Sequence, residues 1–356
     1  MPPLDSDAPA VHGPGPATPT RNHSGRIKLV GGTLWLLVLI SLCLATIWAA
    51  AALYFDLSIT GLGGPAAAIY VLTMTAVLFT LRFRWLALGI GFGLFAGVAG
   101  WWWTIQPSNN RDWKPEVAQT AWAQVEGDKV TIHDYRNFEY ESGRPPQPRW
   151  ETKVVDLSRL RGVDLFINFW GSTLICHPIL SFQFGDRDHV AFSIETRMAK
   201  GQTYSPLRGF FKQYGLIYIV GDERDVIRVR TNYNHEDLYL YRTSIAPDRA
   251  RRLFLSYLEG ANRLHDRPEF YSALTSNCTT NVRVHTAATA QGKPYPWDWR
   301  MLLNGTVDQL VYERGGFESR LPFTELKQRS LINAKAQAAD RAPDFSAEIR
   351  EGLPAF

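Results

Sequence analysis

The chain has 356 residues, a formal net charge of +4 and three cysteines. This length suits one sizeable soluble domain with a membrane anchor, and the modest charge does not indicate a nucleic-acid partner. Three cysteines are too few for a disulfide scaffold, and the sequence has no CxxC pair of the kind that binds zinc or does redox chemistry. We therefore expect neither a metal nor a cofactor.

The apolar residues are concentrated in the first third of the chain. Residues 1–28 are rich in Pro, Ala and Gly and are predicted to form a disordered tail. The segment 29–105 then contains three uncharged runs, each long enough to cross a hydrocarbon layer of about 30 Å. The runs cover about 29–54, 62–81 and 85–105, and three tryptophans at 101–103 end the last one. Because Trp favours the membrane–water interface, we predict an anchor of three transmembrane helices.

The basic residues predict how this anchor is oriented. Arg21, Arg26 and Lys28 precede the first run, Arg82 and Arg84 separate the last two, and the remaining loop carries no Lys or Arg. The positive-inside rule places the N-terminus in the cytoplasm. Three crossings of a bacterial inner membrane then put the rest of the chain in the periplasm.

Residues 106–330 are predicted to form a periplasmic domain of class α+β. Short β-rich runs separated by turn residues indicate an antiparallel sheet, and two helices are expected to begin at Pro247 and Cys278, the second capped by Ser276 or Asn277. The β-rich runs are 130–135, 182–184, 190–194, 216–220 and 226–230. The polar tail 331–356 is expected to be loosely ordered.

Two segments of this domain carry chemistry. His177 opens one predicted strand, and His189 opens the next after a turn at Gly185-Asp186, so we expect both rings at one end of a hairpin. Cys278 lies at a predicted helix N-terminus, where the macrodipole and free N–H groups lower a thiol pKa. A thiolate beside an imidazole is an activated nucleophile, and the first N–H groups of the helix can form an oxyanion hole.

These motifs resemble two known families. The order His177, His189 and Asn277-Cys278 resembles the circularly permuted papain-like fold of lecithin–retinol acyltransferases and small phospholipase/acyltransferases. However, Thr279-Thr280 stands where those proteins have Glu-His. The Asn-Cys-Thr-Thr form is closer to the periplasmic domain of Lnb-type lipoprotein N-acyltransferases, over about residues 110–320. Further shared pieces are Trp150-Glu151, Phe182-Gln183-Phe184, Ser193-Ile194-Glu195-Thr196-Arg197, Tyr218, Asp222-Glu223-Arg224-Asp225 and Phe270-Tyr271.

The resemblance implies a role for each matching residue. Cys278 corresponds to the nucleophile, His177 to the general base and His189 to the third polar group. Asn277 and Thr279, on either side of the cysteine, are assigned to the oxyanion hole or its support.

Glu195 is a rival of His189 for orienting the imidazole of His177. Because the turn between the two strands lets the hairpin fold back, we favour His189. Glu195 and Arg197 lie two apart in a strand and share a face, so they are assigned to substrate binding or structural support, most simply as an ion pair. Cys176 is either free or disulfide-bonded to Cys278.

The resulting prediction is a membrane-anchored thiol acyltransferase. It would take an acyl chain from a phospholipid as a thioester on Cys278 and pass it to an amine, which the resemblance implies is the N-terminus of a lipoprotein. One alternative is a cysteine amidase or peptidase that acts on peptidoglycan, and another is a non-enzymatic, membrane-tethered binding domain. Contact between Cys278 and His177 beside an apolar groove would favour lipid chemistry, and a polar cleft would favour a peptide. Separation of the two residues would favour the non-enzymatic binding domain.

Overall fold

The structure is a computed structural model that describes residues 23–57, 61–185, 187–290, 296–301 and 303–355. The chain divides into two compact units, one ending at Trp101 and the other beginning at Trp102. Most of the predicted disordered tail, up to residue 22, lies outside the described residues.

The first unit consists of apolar helices. They are α1 (His23–Asp56), α2 (Gly63–Thr80) and α3 (Arg84–Thr104). All three are long and apolar enough to cross a membrane, which confirms the predicted spans. Gly91 lets the helices approach closely, since a Cβ atom there would lie 3.1 Å from Leu42 Cδ2 and 3.3 Å from Met74 Sδ.

The second unit is built on an eight-stranded mixed sheet with the order β1-β2-β7-β6-β5-β4-β8, in which β3 also pairs with β2. The strands are β1 (Trp122–Glu126), β2 (Lys129–Arg136), β3 (Trp150–Asp156), β4 (Leu160–Phe169), β5 (Cys176–Phe184), β6 (Asp188–Arg197), β7 (Gly215–Gly221) and β8 (Asp237–Arg242). The β2–β7 pair is parallel, and the other pairs are antiparallel.

The helices of the second unit come late in the chain, after β7 and β8. They are α4 (Glu223–Val226), α5 (Pro247–Asp266), α6 (Cys278–Ala288), α7 (Val307–Glu313), α8 (Phe323–Arg329), α9 (Asn333–Ala338) and α10 (Phe345–Glu348). The predicted α+β class and the predicted starts of α5 and α6 are confirmed. The strand predicted at 226–230 is wrong: Asp222 caps α4 by accepting from Arg224 N–H, and a turn of π-helix (Val229–Tyr233) follows.

Both faces of the sheet are buried, each by a different set of helices. On one face, Phe182 and Phe192 pack edge-on against Phe254 of α5, with ring centroids 5.1 and 5.6 Å apart. On the other face, Ile179 and Ile217 belong to a second buried cluster. Burial on both faces explains why the central strands are apolar along most of their length.

The C-terminal segment 331–356 is not the loosely ordered tail that we expected. Ile332, Phe345 and Ile349 are buried in the second cluster. Arg350 donates hydrogen bonds to two fully buried carboxylates, at 2.7 Å to Asp164 and 2.7 Å to Glu223. The segment packs on one face of the sheet through these few residues. The prediction failed because the composition of the segment as a whole is polar.

Candidate active site

The register of the β5–β6 hairpin decides which residues lie beside His177. Ile179 is paired with Ser193, so Glu195 lies at the strand position across from His177. His189 is paired with Gln183, six residues further along β5, which corresponds to about 20 Å at about 3.3 Å per residue. The predicted juxtaposition of His177 and His189 is therefore wrong. In an antiparallel hairpin the residues nearest the turn face each other, and His177 lies at the opposite end.

His177 belongs to a chain of hydrogen bonds. Its Nε2 lies 2.7 Å from Ser193 Oγ, and the Ser193 hydroxyl donates to Glu195 Oε1 at 2.7 Å. Because Ser193 gives its proton to the carboxylate, Nε2 of His177 must donate to the serine oxygen. Nδ1 is then the unprotonated ring nitrogen. The pair Ser193–Glu195 thus fixes the tautomer that leaves a basic nitrogen on His177.

The charges around this chain are set by burial and by Arg230. Burial raises the pKa of Glu195, and the positive charge of Arg230, whose Nη2 lies 2.6 Å from Oε1, lowers it. The charge has the larger effect, so the pKa of Glu195 falls to about 2. Burial and the charge of Arg230 lower the pKa of His177 to about 4. At neutral pH the site therefore holds an ionised Glu195 and a neutral imidazole that can accept a proton.

His189 lies in a different part of the domain. It is buried and lines a separate cavity of about 100 Å³ beside Asp222 and Phe345. Burial lowers its pKa, and the nearby Glu223 carboxylate acts in the opposite direction. His189 therefore lies near the buried charges of Arg350, Glu223 and Asp164, and it does not line the pocket of His177.

Cys278 occupies the first position of α6, as predicted. Asn277 is the N-cap: its side-chain oxygen accepts from Thr280 N–H at 2.9 Å, and its own N–H donates to Thr280 Oγ1 at 2.9 Å. This reciprocal pair is a capping box, which fixes where the helix begins. Since the Asn277 side chain also donates to Ala273 O at 2.8 Å, it is used in support of the loop and cap.

The thiol of Cys278 is not the low-pKa group that its helix position predicts. Burial raises its pKa to about 11, and the hydroxyl and N–H of Thr279 offset only part of this effect. Thr279 Oγ1 lies 3.8 Å from Cys278 Sγ. The helix terminus does supply donors, but desolvation is the larger contribution, so the thiol is protonated in the substrate-free site.

Asn304 joins the start of β5 to the start of α6. Its Oδ1 accepts from Cys176 N–H at 2.8 Å, and its Nδ2 donates to Cys176 O and to Thr279 Oγ1, both at 2.6 Å. His177 directly follows Cys176 in the chain, and Cys278 directly precedes Thr279. Asn304 therefore holds the two elements that carry the candidate base and nucleophile in one arrangement.

The cysteines 43, 176 and 278 are free thiols. Cys176 is fully buried and its Sγ–H donates to Asn304 O at 3.1 Å. The possible disulfide with Cys278 is not formed. Burial raises the pKa of the Cys176 thiol well above its usual value, as expected for an inert structural cysteine.

Cys278 and His177 line the same pocket, which has a volume of about 500 Å³. No hydrogen bond joins the sulfur to the imidazole in the part of the chain that the structure describes; the sulfur contacts Thr279 instead. Contacts of this kind often tighten only when a substrate binds. The lining mixes apolar and aromatic groups with charged ones: Ile175, Tyr204, Tyr271, Glu116, Arg136 and Glu236.

Glu195 and Arg197 are not paired with each other, contrary to the simplest reading of their spacing. Glu195 binds Arg230 and faces the pocket. Arg197 donates to the carbonyl oxygens of Val117 and Ala118, at 2.9 and 2.7 Å, and packs on the ring of Trp113. Glu195 is thus placed for the orienting role, and Arg197 for structural support.

The sequence motifs assigned no role to Ser193, Arg230 or Asn304. Ser193 lies two positions before Glu195, so the strand period places both on one face of β6, and the hairpin register brings that face beside His177. Arg230 lies in the segment that was wrongly predicted as a strand, so its position near Glu195 was not foreseen. Asn304 carried no sequence signal, since its contacts with Cys176 span 128 positions and its contact with Thr279 spans 25.

Comparison with known proteins supports one family. Residues 146–305 match the model of the Lnb N-terminal periplasmic domain, a stretch that includes His177, Ser193, Glu195, Cys278 and Asn304. No curated protein and no solved structure matches the chain significantly. The family description and the three apolar helices support a membrane-anchored protein with a periplasmic domain. The match confirms the resemblance drawn from the motifs: residues 146–305 of this chain are similar to the Lnb N-terminal periplasmic domain family.

Proposed function

We propose that the protein is a membrane-anchored thiol acyltransferase with Cys278 as nucleophile and His177 as general base. The observation that carries the proposal is the shared pocket, in which a helix-terminal thiol and a neutral imidazole with a fixed tautomer occur together. The positioning chain Ser193–Glu195 is the arrangement that a base needs in order to accept and return one proton.

In the first half-reaction the sulfur of Cys278 attacks the ester carbonyl of a phospholipid. A C–S bond forms, the ester C–O bond breaks, and Nδ1 of His177 carries the thiol proton to the departing alkoxide. Because both groups are neutral in the empty site, deprotonation accompanies the attack and no resting ion pair is needed. The N–H groups of the first turn of α6 are placed to stabilise the oxyanion.

In the second half-reaction an amine attacks the thioester. A C–N bond forms, the C–S bond breaks, and His177 passes the amine proton to the sulfur. The motif resemblance supports a lipoprotein N-terminus as the acceptor. Anchorage suits this reaction because both substrates are lipids that hardly leave the bilayer.

A cysteine amidase or peptidase is the second candidate, and the charged lining of the pocket favours it. Glu116, Arg136 and Glu236 are more typical of a site for a peptide than of one for acyl chains alone. The same thiol and imidazole would then transfer an acyl group to water. The aromatic groups beside Cys278, Tyr204 and Tyr271, favour the lipid reaction.

The transfer assay uses the full chain in proteoliposomes with a radiolabelled-acyl phospholipid and a diacylglyceryl cysteine peptide. We expect labelled amide with the native chain and with Cys176→Ser, and a loss of at least about 10³-fold with Cys278→Ala or His177→Ala. Amide formed by Cys278→Ala would refute the proposal. Peptidoglycan stem peptides cleaved without amide formation would favour the amidase.

A further inference from the structure

Large apolar side chains are exposed on four loops of the periplasmic domain. They are Leu174, Leu207, Phe210, Leu274, Trp297 and Trp299, and their exposed fractions range from 46% for Phe210 to 70% for Leu174. We call these six residues the apolar rim. Single exposed apolar residues are common, but a contiguous group of this size marks an interaction surface.

Backbone hydrogen bonds show that the four loops are neighbours. Gly305 N–H donates to Leu174 O at 3.0 Å, which joins the loop of the two tryptophans to the loop before β5. Ala273 N–H donates to Gly209 O at 2.8 Å, which joins the loop of Leu274 to that of Leu207 and Phe210. The two pairs meet at the N-terminus of α6, where Asn304 binds Thr279.

The rim borders the pocket of Cys278. Ile175, next to Leu174, lines that pocket, and so do Tyr204 from the loop of Leu207 and Tyr271 from the loop of Leu274. Three of the four loops that carry the rim therefore also line the pocket.

The domain also begins beside this rim. Lys212, two positions after Phe210, donates hydrogen bonds to the carbonyl oxygens of Trp102 and Ile105, at 2.8 and 2.9 Å. Trp102 is the first residue of the second unit, and it lies in the last turn of the third apolar helix, Arg84–Thr104. The first residues of the second unit are thus held beside the rim by Lys212, and Trp is a side chain that favours the lipid interface.

We propose that the apolar rim inserts into the outer leaflet of the membrane in which the chain is anchored. The loops would act as an interfacial attachment in addition to the spans. The pocket would then open at the level of the lipid ester groups, so that an acyl chain enters it without crossing water. This surface does not depend on which reaction the pocket performs.

The test measures depth in the bilayer with the full chain in nanodiscs of phosphatidylcholine and phosphatidylglycerol. A fluorescent coumarin amino acid replaces Leu207 in one preparation and Trp299 in another, which leaves all cysteines unlabelled. Val154 on β3 is the matched control, since it is apolar and 52% exposed but lies outside the rim. Lipids that carry a nitroxide on the acyl chain quench only fluorophores that reach the hydrocarbon.

We expect quenching at positions 207 and 299 to be several-fold stronger than at position 154. Equal quenching at all three positions would overturn the proposal. Energy transfer between labelled copies, without lipid quenching, would overturn it in favour of a second copy of the chain as the occupant.

A second measurement links the rim to delivery of lipid. Leu207→Ser combined with Phe210→Ser should slow transfer from bilayer phospholipid at least tenfold, whereas Val154→Ser should not. Alkylation of Cys278 by water-soluble iodoacetamide should stay unchanged in both variants, which excludes unfolding. If no variant or native chain transfers acyl groups, the proposed function fails, and the quenching result still decides the role of the rim.

Discussion

Glu195 lies two hydrogen bonds from the imidazole of His177, with the hydroxyl of Ser193 between them. A carboxylate that acts through a serine orients the ring and favours the imidazolium without taking up its proton. The ion pair between Glu195 and Arg230 holds the carboxylate in its charged form. The imidazole of His177 is therefore oriented by Ser193 and Glu195 of β6, and Arg230 of the π-helical turn holds Glu195 in its charged form.

The first prediction concerns this positioning chain. Ser193→Ala removes the acceptor of the Nε2–H of His177, so the ring loses its preferred tautomer. We expect kcat for acyl transfer to fall roughly 10²-fold with KM nearly unchanged. Ser193→Thr keeps the hydroxyl and should restore part of the rate.

His189→Ala is the control for the positioning chain, because His189 lies in a separate cavity. It should alter the melting temperature but leave kcat within a few-fold of the native value. A fully active Ser193→Ala together with an inactive His189→Ala would show that the wrong partner has been assigned.

The second prediction concerns Asn304, which bridges β5 and α6. Asn304→Ala removes three hydrogen bonds of a buried amide and should destabilise the domain by about 1–3 kcal/mol. Because a displacement of about 1 Å at a reacting group can cost about 10²-fold in rate, we also expect kcat to fall at least tenfold at a temperature where the variant is folded.

Asn262 offers a matched control for Asn304. It binds the N–H and C=O of Ala123 at 2.7 and 2.9 Å, just as Asn304 binds those of Cys176. Asn262→Ala should be destabilising in chemical denaturation and leave kcat nearly unchanged. Equal losses of rate in the two variants would mean that Asn304 acts only through stability.

The third prediction concerns the pH dependence of thiol reactivity. The thiolate is the reactive form, and burial raises the pKa of Cys278 to about 11. Iodoacetamide should therefore alkylate Cys278 slowly at pH 7, and the rate should rise about tenfold per pH unit through pH 9. The mass of the Cys278 peptide reports the reaction. A rate that levels off below pH 8 would indicate a stabilised thiolate and contradict the assignment.

The fourth prediction is that the N-terminus is cytoplasmic and the domain periplasmic. Five basic residues lie on one predicted side of the spans, and the single outer loop has none. A phosphatase fused after residue 110 should be active, and one fused at Arg84 should be inactive. The reverse pattern would overturn the assigned orientation.

Hydropathy and local patterns in the sequence predict much of the architecture. The three spans follow from uncharged runs, α5 from its apolar stripe, and the start of α6 from the Asn277 cap. These signals are local, so they need no knowledge of the fold. The same kind of signal placed Cys278 at a helix terminus correctly.

Two of the errors come from non-local contacts, and one from a register that was not counted. The pKa of Cys278 depends on burial, which the helix position does not reveal. The partner of His177 follows from the hairpin register, and counting from the turn would have given Glu195 instead of His189. The C-terminal segment has a polar composition, but Phe345 and Arg350 fasten it to the sheet.

The most direct test of the central claim is to trap the acyl-enzyme. The full chain in phospholipid vesicles is incubated without amine acceptor, quenched in acid and digested, and the Cys278 peptide is examined by mass spectrometry. We predict a fatty acyl thioester on Cys278 that hydroxylamine removes, and the same adduct in Cys176→Ser but not in His177→Ala. An unmodified Cys278 beside ongoing acyl transfer, or an acyl group on Cys176, would contradict the account.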